Sequence, residues 1–367
     1  LQEVVDAHES NAFIRWDLGI GAGGPAYYRD IYGSVSKVLY NDALVIDTKY
    51  KATQDGISTN HGAEMSAIDF ITVHYTGNMS PKADANANAS YFAGGGGGTS
   101  IHYVTGNDGV FYCLDEKYVG YHAGDSSMGE RKWIKTGIKA TSDDPETPVW
   151  GISSNSKFTL NGQETIVNVP EGTTDATKKV TGNTFVYNGK VQNCINDMGL
   201  AWKIVDGEYY MLDTWWCYSQ VSAGRICNYG GNRNSIGIES AVNPESDLWY
   251  TWQRTAQLVA DIMVRHNLDI TRVVGHHFWT AKDCPQPLLE NNLEIWDIFI
   301  ESVKHEYKLI TDFKDTKFAF TCDSDIIGKN GRVATQPLFS QIVTYTVEVN
   351  GEKITLATMV EGRYNKK

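Results

Sequence analysis

The segment "DFITVHYTGN" constrains the fold more than any other part of the chain. Its run "FITVHY" is rich in β-branched and aromatic residues, which predicts a strand, and the "TGN" that follows predicts a turn. Two later segments, "NSIGIESAV" and "TRVVGHH", are also predicted strands. Each strand carries a titratable residue near its end, and these residues are His74, Glu239 and His276.

Helical patterns surround these strands. The segment 249–267 has apolar residues at helical spacing on one face, which predicts an amphipathic helix. A second helix is predicted to start at Pro285 and to continue through a stripe formed by Leu289, Leu293, Trp296, Ile300 and Val303. The Ala-rich segment 83–93 is a third predicted helix, and "SIHYVTGNDGVFYCLD" predicts a β-hairpin.

Composition excludes several classes of partner. The net charge of −12 disfavours a nucleic-acid or anionic-membrane binder, because phosphate binding requires a basic face. No stretch approaches the roughly 20 apolar residues of a membrane helix, and the first residues show no signal peptide. The run "GIGAGGP" formally matches a dinucleotide motif, but no βαβ unit surrounds it. We expect no nucleic acid, no membrane insertion and no protein partner.

The cysteines leave alternatives open. Six cysteines in 367 residues allow 15 pairings, of which Cys217 with Cys227 is favoured by proximity alone. Cys284 follows His276 by eight residues, and it could form a disulfide, pack as a core thiol or bind a metal. A lone strand histidine such as His74 is more often a core residue than a ligand. Zinc takes imidazole nitrogen and thiolate sulfur, so a third ligand from elsewhere would complete a site.

Five segments together are more specific than any one of them. In chain order they are "VHYTGN", "SIHYV", "GYHAGD", "SIGIE" and "GHHFWTAKDC". This series resembles the zinc-dependent N-acetylmuramoyl-L-alanine amidases of the type-2 family, which are related to peptidoglycan recognition proteins. The resemblance covers roughly residues 68–134 and 233–305. It implies an α/β fold with a mixed central β-sheet flanked by helices.

The resemblance also implies roles for individual residues. His74, His276 and Cys284 would bind one catalytic Zn²⁺, with His277 as an alternative to His276. Glu239 would act as the catalytic base, and the charge of Lys282 would stabilise the oxyanion. His122 would contact substrate or make a structural hydrogen bond, whereas His102 is expected to be structural.

Two positions depart from the family pattern. Ile101 stands where some relatives have a tyrosine that faces the metal, which gives Glu239 more weight. Phe278 stands where many relatives have an aspartate, so support around the ligands is expected to differ.

The predicted organisation has three parts. Residues 1–65 form an extension packed on the amidase domain, which spans 66–308 and contains a β-rich insertion at about 134–232. Residues 309–367 form a small all-β, immunoglobulin-like domain, either a wall-binding module or a structural appendage.

The resemblance implies cleavage of the amide between N-acetylmuramic acid and L-alanine of peptidoglycan. The location would be secreted or cell-wall, or the protein would be a host-lysis product of a phage. A non-catalytic peptidoglycan receptor and a zinc amidase with another substrate are the alternatives.

Overall fold

A computed structural model describes residues 1–13, 35–51, 60–78, 80–124, 126–127, 133–145, 148–169, 184–187, 190–193, 202–212, 226–227, 231–243, 246–280, 284–289, 293–335 and 337–362. The "GIGAGGP" segment, Cys217 and Lys282 lie outside these residues. The predicted pairing of Cys217 with Cys227 is therefore not described. Among the described cysteines, Cys113, Cys284 and Cys322 form no disulfide bond.

A five-stranded mixed sheet forms the centre of the molecule. Its strands, in the order in which they pair, are β17 (Val273–Gly275), β3 (Phe70–Tyr75), β16 (Ser235–Ser240), β4 (Tyr103–Gly106) and β5 (Gly109–Tyr112). The first four are parallel, and β5 returns antiparallel to β4 as the predicted hairpin. The predicted strand "FITVHY" is confirmed without a shift, and its first five residues are all buried.

Helices cover both faces of this sheet. One face packs on α4 (Leu248–His266) and α7 (Glu294–Ile310) through a cluster that includes Ile71, Ile238 and Trp252. The other face packs on α2 (Ala85–Ala93) through Ala85 and Ala89. Parallel strands buried on both faces are expected to be mainly apolar, and β3 fits this pattern except at Thr72 and His74. The predicted α/β architecture is confirmed in this region.

The long amphipathic helix begins one residue earlier than the sequence predicted. The carboxylate of Asp247 caps α4 by accepting a hydrogen bond of 2.9 Å from the Tyr250 N–H. Asn267 ends the helix in the left-handed conformation, with φ of 52°. No helix among the described residues is long and apolar enough to cross a membrane.

The single helix predicted from Pro285 is wrong. The structure contains two helices, α6 (Gln286–Leu289) and α7, with Leu293 immediately before α7. Leu293 has φ of 71°, a left-handed conformation that a leucine inside an α-helix does not adopt. Its partners in the predicted stripe, Ile300 and Val303, still pack against the core as α7 residues.

Short helices and a two-stranded ladder lie beside the sheet. The helices are α3 (Gly231–Asn234) and α5 (His277–Thr280), which come directly before β16 and after β17. The ladder pairs β6 (Ser126–Ser127) with β15 (Ile226–Cys227).

The described part of residues 133–212 is made of strands. They are β7 (Trp133–Lys139), β8 (Trp150–Ile152), β9 (Lys157–Leu160), β10 (Gln163–Asn168), β11 (Thr184–Tyr187), β12 (Lys190–Asn193), β13 (Trp202–Val205) and β14 (Glu208–Leu212). Trp150, Phe158 and Met211 belong to a hydrophobic cluster separate from the main core. The segment between the two halves of the amidase resemblance therefore has its own apolar interior.

The two ends of the chain share a third hydrophobic cluster. The N-terminal part contains α1 (Gln2–Ala7), β1 (Glu9–Phe13) and β2 (Val35–Leu39), and β1 pairs with β2. The C-terminal part is one antiparallel sheet of β18 (Phe318–Cys322), β19 (Gln341–Val349) and β20 (Glu352–Val360). Val5 and Leu39 pack in the same cluster as Val343 and Tyr345.

The immunoglobulin-like prediction is not supported by this sheet. An immunoglobulin fold packs two sheets of about seven strands in total. The described residues from 318 to 360 form one three-stranded sheet, and residues from the N-terminal segment complete its core. The N-terminal segment also contacts α4, where the Ser10 hydroxyl donates a 2.9 Å hydrogen bond to Gln253. The predicted domain boundaries stay predictions.

An ion-pair cluster around the buried Glu116 joins the β5 side of the sheet to the end of α4. Glu116 is 8% exposed and accepts hydrogen bonds of 2.6 and 2.7 Å from the Arg265 guanidinium. The Tyr103 hydroxyl donates to the same carboxylate at 2.6 Å, and His266 Nε2 lies 2.7 Å from it. Burial favours the neutral acid, but hydrogen bonds from Arg265, Tyr103 and His266 outweigh it and lower the pKa of Glu116 to about 2. We call these four residues the Glu116 cluster.

Candidate active site

The register of three neighbouring strands brings the predicted site residues to one face of the sheet. Glu239 on β16 is paired directly with His74 on β3. Gly275 at the end of β17 is paired with Val73, and the His276 N–H donates a 3.2 Å hydrogen bond to the Val73 carbonyl. Residues opposite each other on parallel strands point to the same side. The strand order therefore sets His276, His74 and Glu239 in a row.

Cys284 joins this row from the loop that follows β17. The His277 N–H donates a 3.0 Å hydrogen bond to the Cys284 carbonyl, which closes the loop. The Cys284 sulfur lies 3.7 Å from His74 Nδ1. One ligand atom from each of His74, His276 and Cys284 lies within 4.8 Å of the others. We call these three residues the histidine–thiol cluster.

The donor set of the histidine–thiol cluster fits a zinc ion. The side chains are buried, with exposures of 3% for His74, 8% for His276 and 2% for Cys284. Two imidazoles and one thiol are the nitrogen and sulfur donors that zinc prefers, and three protein ligands are typical of catalytic zinc sites. The predicted identity of the ligands stays a prediction, but the structure places all three together.

A buried tryptophan fixes the turn that carries His276 and His277. Trp279 in α5 is fully buried, and its indole N–H donates a 2.8 Å hydrogen bond to the Thr72 hydroxyl on β3. Thr72 in turn lies 2.7 Å from the Ser235 hydroxyl on β16. The alternative ligand, His277, belongs to this helical turn, and its ring packs edge-on against Trp296 at 5.9 Å. His277 is outside the histidine–thiol cluster among the described residues.

His122 lies beside His74 rather than in open solvent. Its Nδ1 is 2.9 Å from His74 Nε2, and the side chain is half-buried. Burial, followed by the neighbouring His102 and His276 rings, lowers the pKa of His122 well below its ordinary value. A neutral His122 can hold one tautomer of His74, as residues around metal-bound histidines commonly do.

Asn232 positions the His122 loop, and sequence reasoning missed it. Its side-chain oxygen accepts three backbone hydrogen bonds, from His122 at 2.8 Å, Ala123 at 2.7 Å and Gly124 at 3.0 Å. Asn232 is 8% exposed, so loss of this oxygen would leave buried N–H groups without an acceptor. The segment "GGNRN" gave no signal, because the partners are about a hundred residues away in the chain.

His102 has the structural role that the sequence predicted. Its Nδ1 accepts a 2.9 Å hydrogen bond from the Gly237 N–H, so Nε2 carries the proton and donates to the Tyr118 carbonyl at 2.9 Å. Burial lowers the pKa of this fully buried histidine to about 4.

Gly237 lets His122 approach the sheet. A Cβ atom at this position would lie 2.8 Å from two His122 ring atoms and 2.6 Å from the Ile101 side chain. Ile101, which departs from the family pattern, is therefore a buried packing residue here. Phe278, the other departure, packs against Phe70 and Trp279.

Glu239 borders an open groove. Its side chain is half-buried, and it lines a groove of about 440 Å³ between the segment that follows β3 and helix α2. A groove of this size is within the range of about 300–1,000 Å³ for small-ligand sites. Lys282, the other predicted catalytic residue, lies outside the described residues.

Comparison with known proteins assigns a family. Residues 64–149 and 153–287, more than half of the chain, match the N-acetylmuramoyl-L-alanine amidase family. The chain is 38% identical over 72 residues to N-acetylmuramoyl-L-alanine amidase XlyA of Bacillus subtilis (strain 168), covering 20% of this chain and 23% of that protein. It is 31% identical over 105 residues to amidase CwlH of the same strain, covering 29% of this chain and 39% of that protein.

Solved structures give more distant similarities. The catalytic domain of XlyA is 20% identical, with a TM-score of 0.38 over 71% of this chain and 99% of that one. Staphylococcus aureus hydrolase AmiA in complex with its ligand is 11% identical, with a TM-score of 0.38 over 74% of this chain and 87% of that one. These scores are too low to establish a shared fold by themselves.

The family match and the row of His74, Glu239 and His276 lie in the same residues. The chain belongs to the N-acetylmuramoyl-L-alanine amidase family.

Proposed function

We propose that this protein is a zinc-dependent peptidoglycan hydrolase that cleaves the amide between N-acetylmuramic acid and L-alanine. The observation that carries the proposal is the histidine–thiol cluster, whose ligand atoms lie within 4.8 Å of one another beside Glu239. The matched segments cover only 23% and 39% of the two curated relatives, so the activity rests on the family together with this site.

The ligand roles follow from the donors. His74, His276 and Cys284 would hold the zinc through two imidazole nitrogens and one thiolate. A bound zinc ion supplies Lewis acidity, which polarises a carbonyl and makes water more acidic. His74 Nδ1 faces the thiol, whereas His74 Nε2 faces His122, so the two nitrogens have separate tasks. His122 would orient His74, and substrate contact by His122 is a second proposed role.

Glu239 would move the proton. Its carboxylate accepts a proton from the attacking water and returns it to the nitrogen of the leaving amine. The direct pairing of Glu239 with His74 supports this role, because it sets the carboxylate next to the cluster on the same face of the sheet.

Lys282 would stabilise charge. It precedes Cys284 by two residues, and an ammonium group there would favour the negative oxygen that develops on the scissile carbonyl.

The proposed substrate sets the place of action. A peptidoglycan amidase works on the cell wall, either as a secreted enzyme or as a lysis product of a phage. The C-terminal sheet is a candidate wall-binding part.

Replacement of the base tests the proposal. We expect Glu239→Gln to keep its zinc content and thermal stability while release of stem peptide from purified walls falls by about 10²- to 10⁴-fold. Glu301→Gln, an exposed carboxylate on α7, is the matched control and should keep full activity. Near-normal turnover in Glu239→Gln would remove this residue from the mechanism. Wild-type protein that binds zinc and walls but releases no stem peptide would indicate a receptor instead.

A further inference from the structure

The groove beside Glu239 has one basic residue in its wall. The groove is lined by residues of α2, by Glu239, and by Thr76, Asn78, Ser80, Lys82 and Ala83. Lys82 is exposed, and no ion pair holds its ammonium group among the described residues. In contrast, Lys51 and Lys117 are paired with carboxylates.

The segment that carries Lys82 is held in place on both sides. The Thr76 hydroxyl accepts a 3.0 Å hydrogen bond from the Val242 N–H. The Asn243 side chain donates to the Pro81 carbonyl at 3.3 Å, and the Asn88 side chain donates to the Ala83 carbonyl at 2.9 Å. Because the backbone carbonyls on either side of Lys82 are already held, the backbone here needs little further ordering when a ligand binds.

The chemistry of the proposed function orients the substrate in this groove, and the inference rests on that function. The scissile carbonyl belongs at the histidine–thiol cluster. The leaving nitrogen belongs at Glu239, which returns the proton to it. The nitrogen is the first atom of the peptide, so the peptide continues on the Glu239 side, where the groove lies. The sugar lies on the opposite side.

We propose that this groove binds the stem peptide and that Lys82 selects a free carboxylate on its second residue. L-Alanine has no charged side chain, and the second residue is a γ-linked glutamyl unit whose α-carboxyl is either free or amidated. Each residue extends the peptide by about 3.3–3.6 Å at most, so a groove of about 440 Å³ next to Glu239 accommodates only the first few residues. A carboxylate there would also be repelled by Glu239, and the ammonium of Lys82 offsets that repulsion.

The test uses two soluble muramyl peptides that differ only in this carboxyl group, one free and one amidated. We expect zinc-loaded wild-type protein to cleave the free acid with kcat/KM about 3- to 10-fold higher, mainly through KM, as a partly exposed charge pair provides. Lys82→Gln should remove the preference by raising KM for the free acid, and Lys82→Glu should reverse the preference. Lys353→Gln, which changes an exposed lysine on the C-terminal sheet, is the control and should keep the preference.

The outcomes separate this inference from the proposed function. Equal kcat/KM for both peptides in wild-type protein, or equal losses on both in Lys82→Gln, would overturn the inference while leaving the amidase activity in place. If the effect of Lys82→Gln depended on the length of the glycan instead, the sugar would lie in the groove. That result would also overturn the inference. Failure of the zinc-loaded wild type to cleave either peptide would contradict the proposed function itself.

Discussion

The histidine–thiol cluster and the Glu116 cluster both contain buried polar groups, but they are built in opposite ways. In the Glu116 cluster, donors from Arg265 and Tyr103 surround one carboxylate at 2.6–2.7 Å, so its charges cancel inside the protein. In the histidine–thiol cluster, groups that can each act as a metal ligand face one another, and none of the three is a carboxylate or a permanent cation.

This difference suits the Glu116 cluster to stabilising the fold and the histidine–thiol cluster to binding a metal. Hydrogen-bond donors around a carboxylate lower its pKa, and this stabilises the folded chain. Lone pairs that converge on one point suit a bound cation, and folding alone does not require that arrangement. We therefore expect changes in the Glu116 cluster to alter stability, and changes in the histidine–thiol cluster to alter metal binding.

Removal of the thiol gives the largest expected effect. In Cys284→Ser, zinc affinity should fall by more than about 100-fold, because a direct ligand contributes more than the residues around it. Chelator competition measures the affinity, and circular dichroism reports the fold. Cys113→Ser, which changes another buried thiol, is the control and should bind zinc normally. Unchanged zinc affinity in Cys284→Ser would exclude the thiol as a ligand.

Removal of the Glu116 charge gives the next effect. Glu116→Gln removes the buried carboxylate partner of Arg265, leaves Asp261 as its remaining ion-pair partner, and should lower the free energy of unfolding by about 2–4 kcal/mol. The lower part of this range applies because the Arg265 side chain is 38% exposed. Chemical denaturation measures the loss, and zinc affinity should stay unchanged. Glu64→Gln breaks an exposed pair with Lys117 and should change stability far less than Glu116→Gln does. Equal losses in the two variants would show that burial of the pair is unimportant.

The loss of folding stability at low pH is the smallest and most specific expected effect. The pKa of Glu116 is lowered to about 2 in the folded protein, from an ordinary value of 4.5. Its stabilisation is therefore fully present above about pH 4.5 and is lost as the pH falls towards 2. The pKa of His102 is lowered to about 4 by burial, so its contribution is lost between about pH 6.5 and 4. Melting temperatures of Glu116→Gln should flatten below pH 4.5 and keep the wild-type slope above it.

The sequence predicted the regular parts of the site-bearing domain well. Strand β3 was predicted without a shift, and α4 was predicted within one residue, because apolar runs and helical periodicity are local signals. His74, His276 and Cys284 were brought together by resemblance to a family rather than by spacing. A spacing of eight positions from His276 to Cys284 is compatible with many loop structures. Only the hydrogen bond from the His277 N–H to the Cys284 carbonyl shows how this loop closes.

Other features depend on contacts that no local pattern encodes. Glu116 and Arg265 are 149 residues apart, so their pairing follows from the tertiary fold. Leu293 interrupts a regular apolar stripe although leucine favours helices, so tertiary packing overrides its propensity. The N-terminal residues that complete the C-terminal core were likewise invisible, because a shared interior leaves no motif in either segment.

The three hydrogen bonds to Asn232 have a consequence for the segment between Gly124 and Asn232. Gly124 and Asn232 are separated by 108 positions in the chain, yet they touch in space. The Asn232 amide oxygen thus connects the chain before the intervening strands to the chain after them. A change in the length of the intervening segment is therefore expected to leave the loop that bears His122 in place. A short linker that joins the loop after Gly124 to Asn232 should therefore give a smaller protein in which His122 keeps its position.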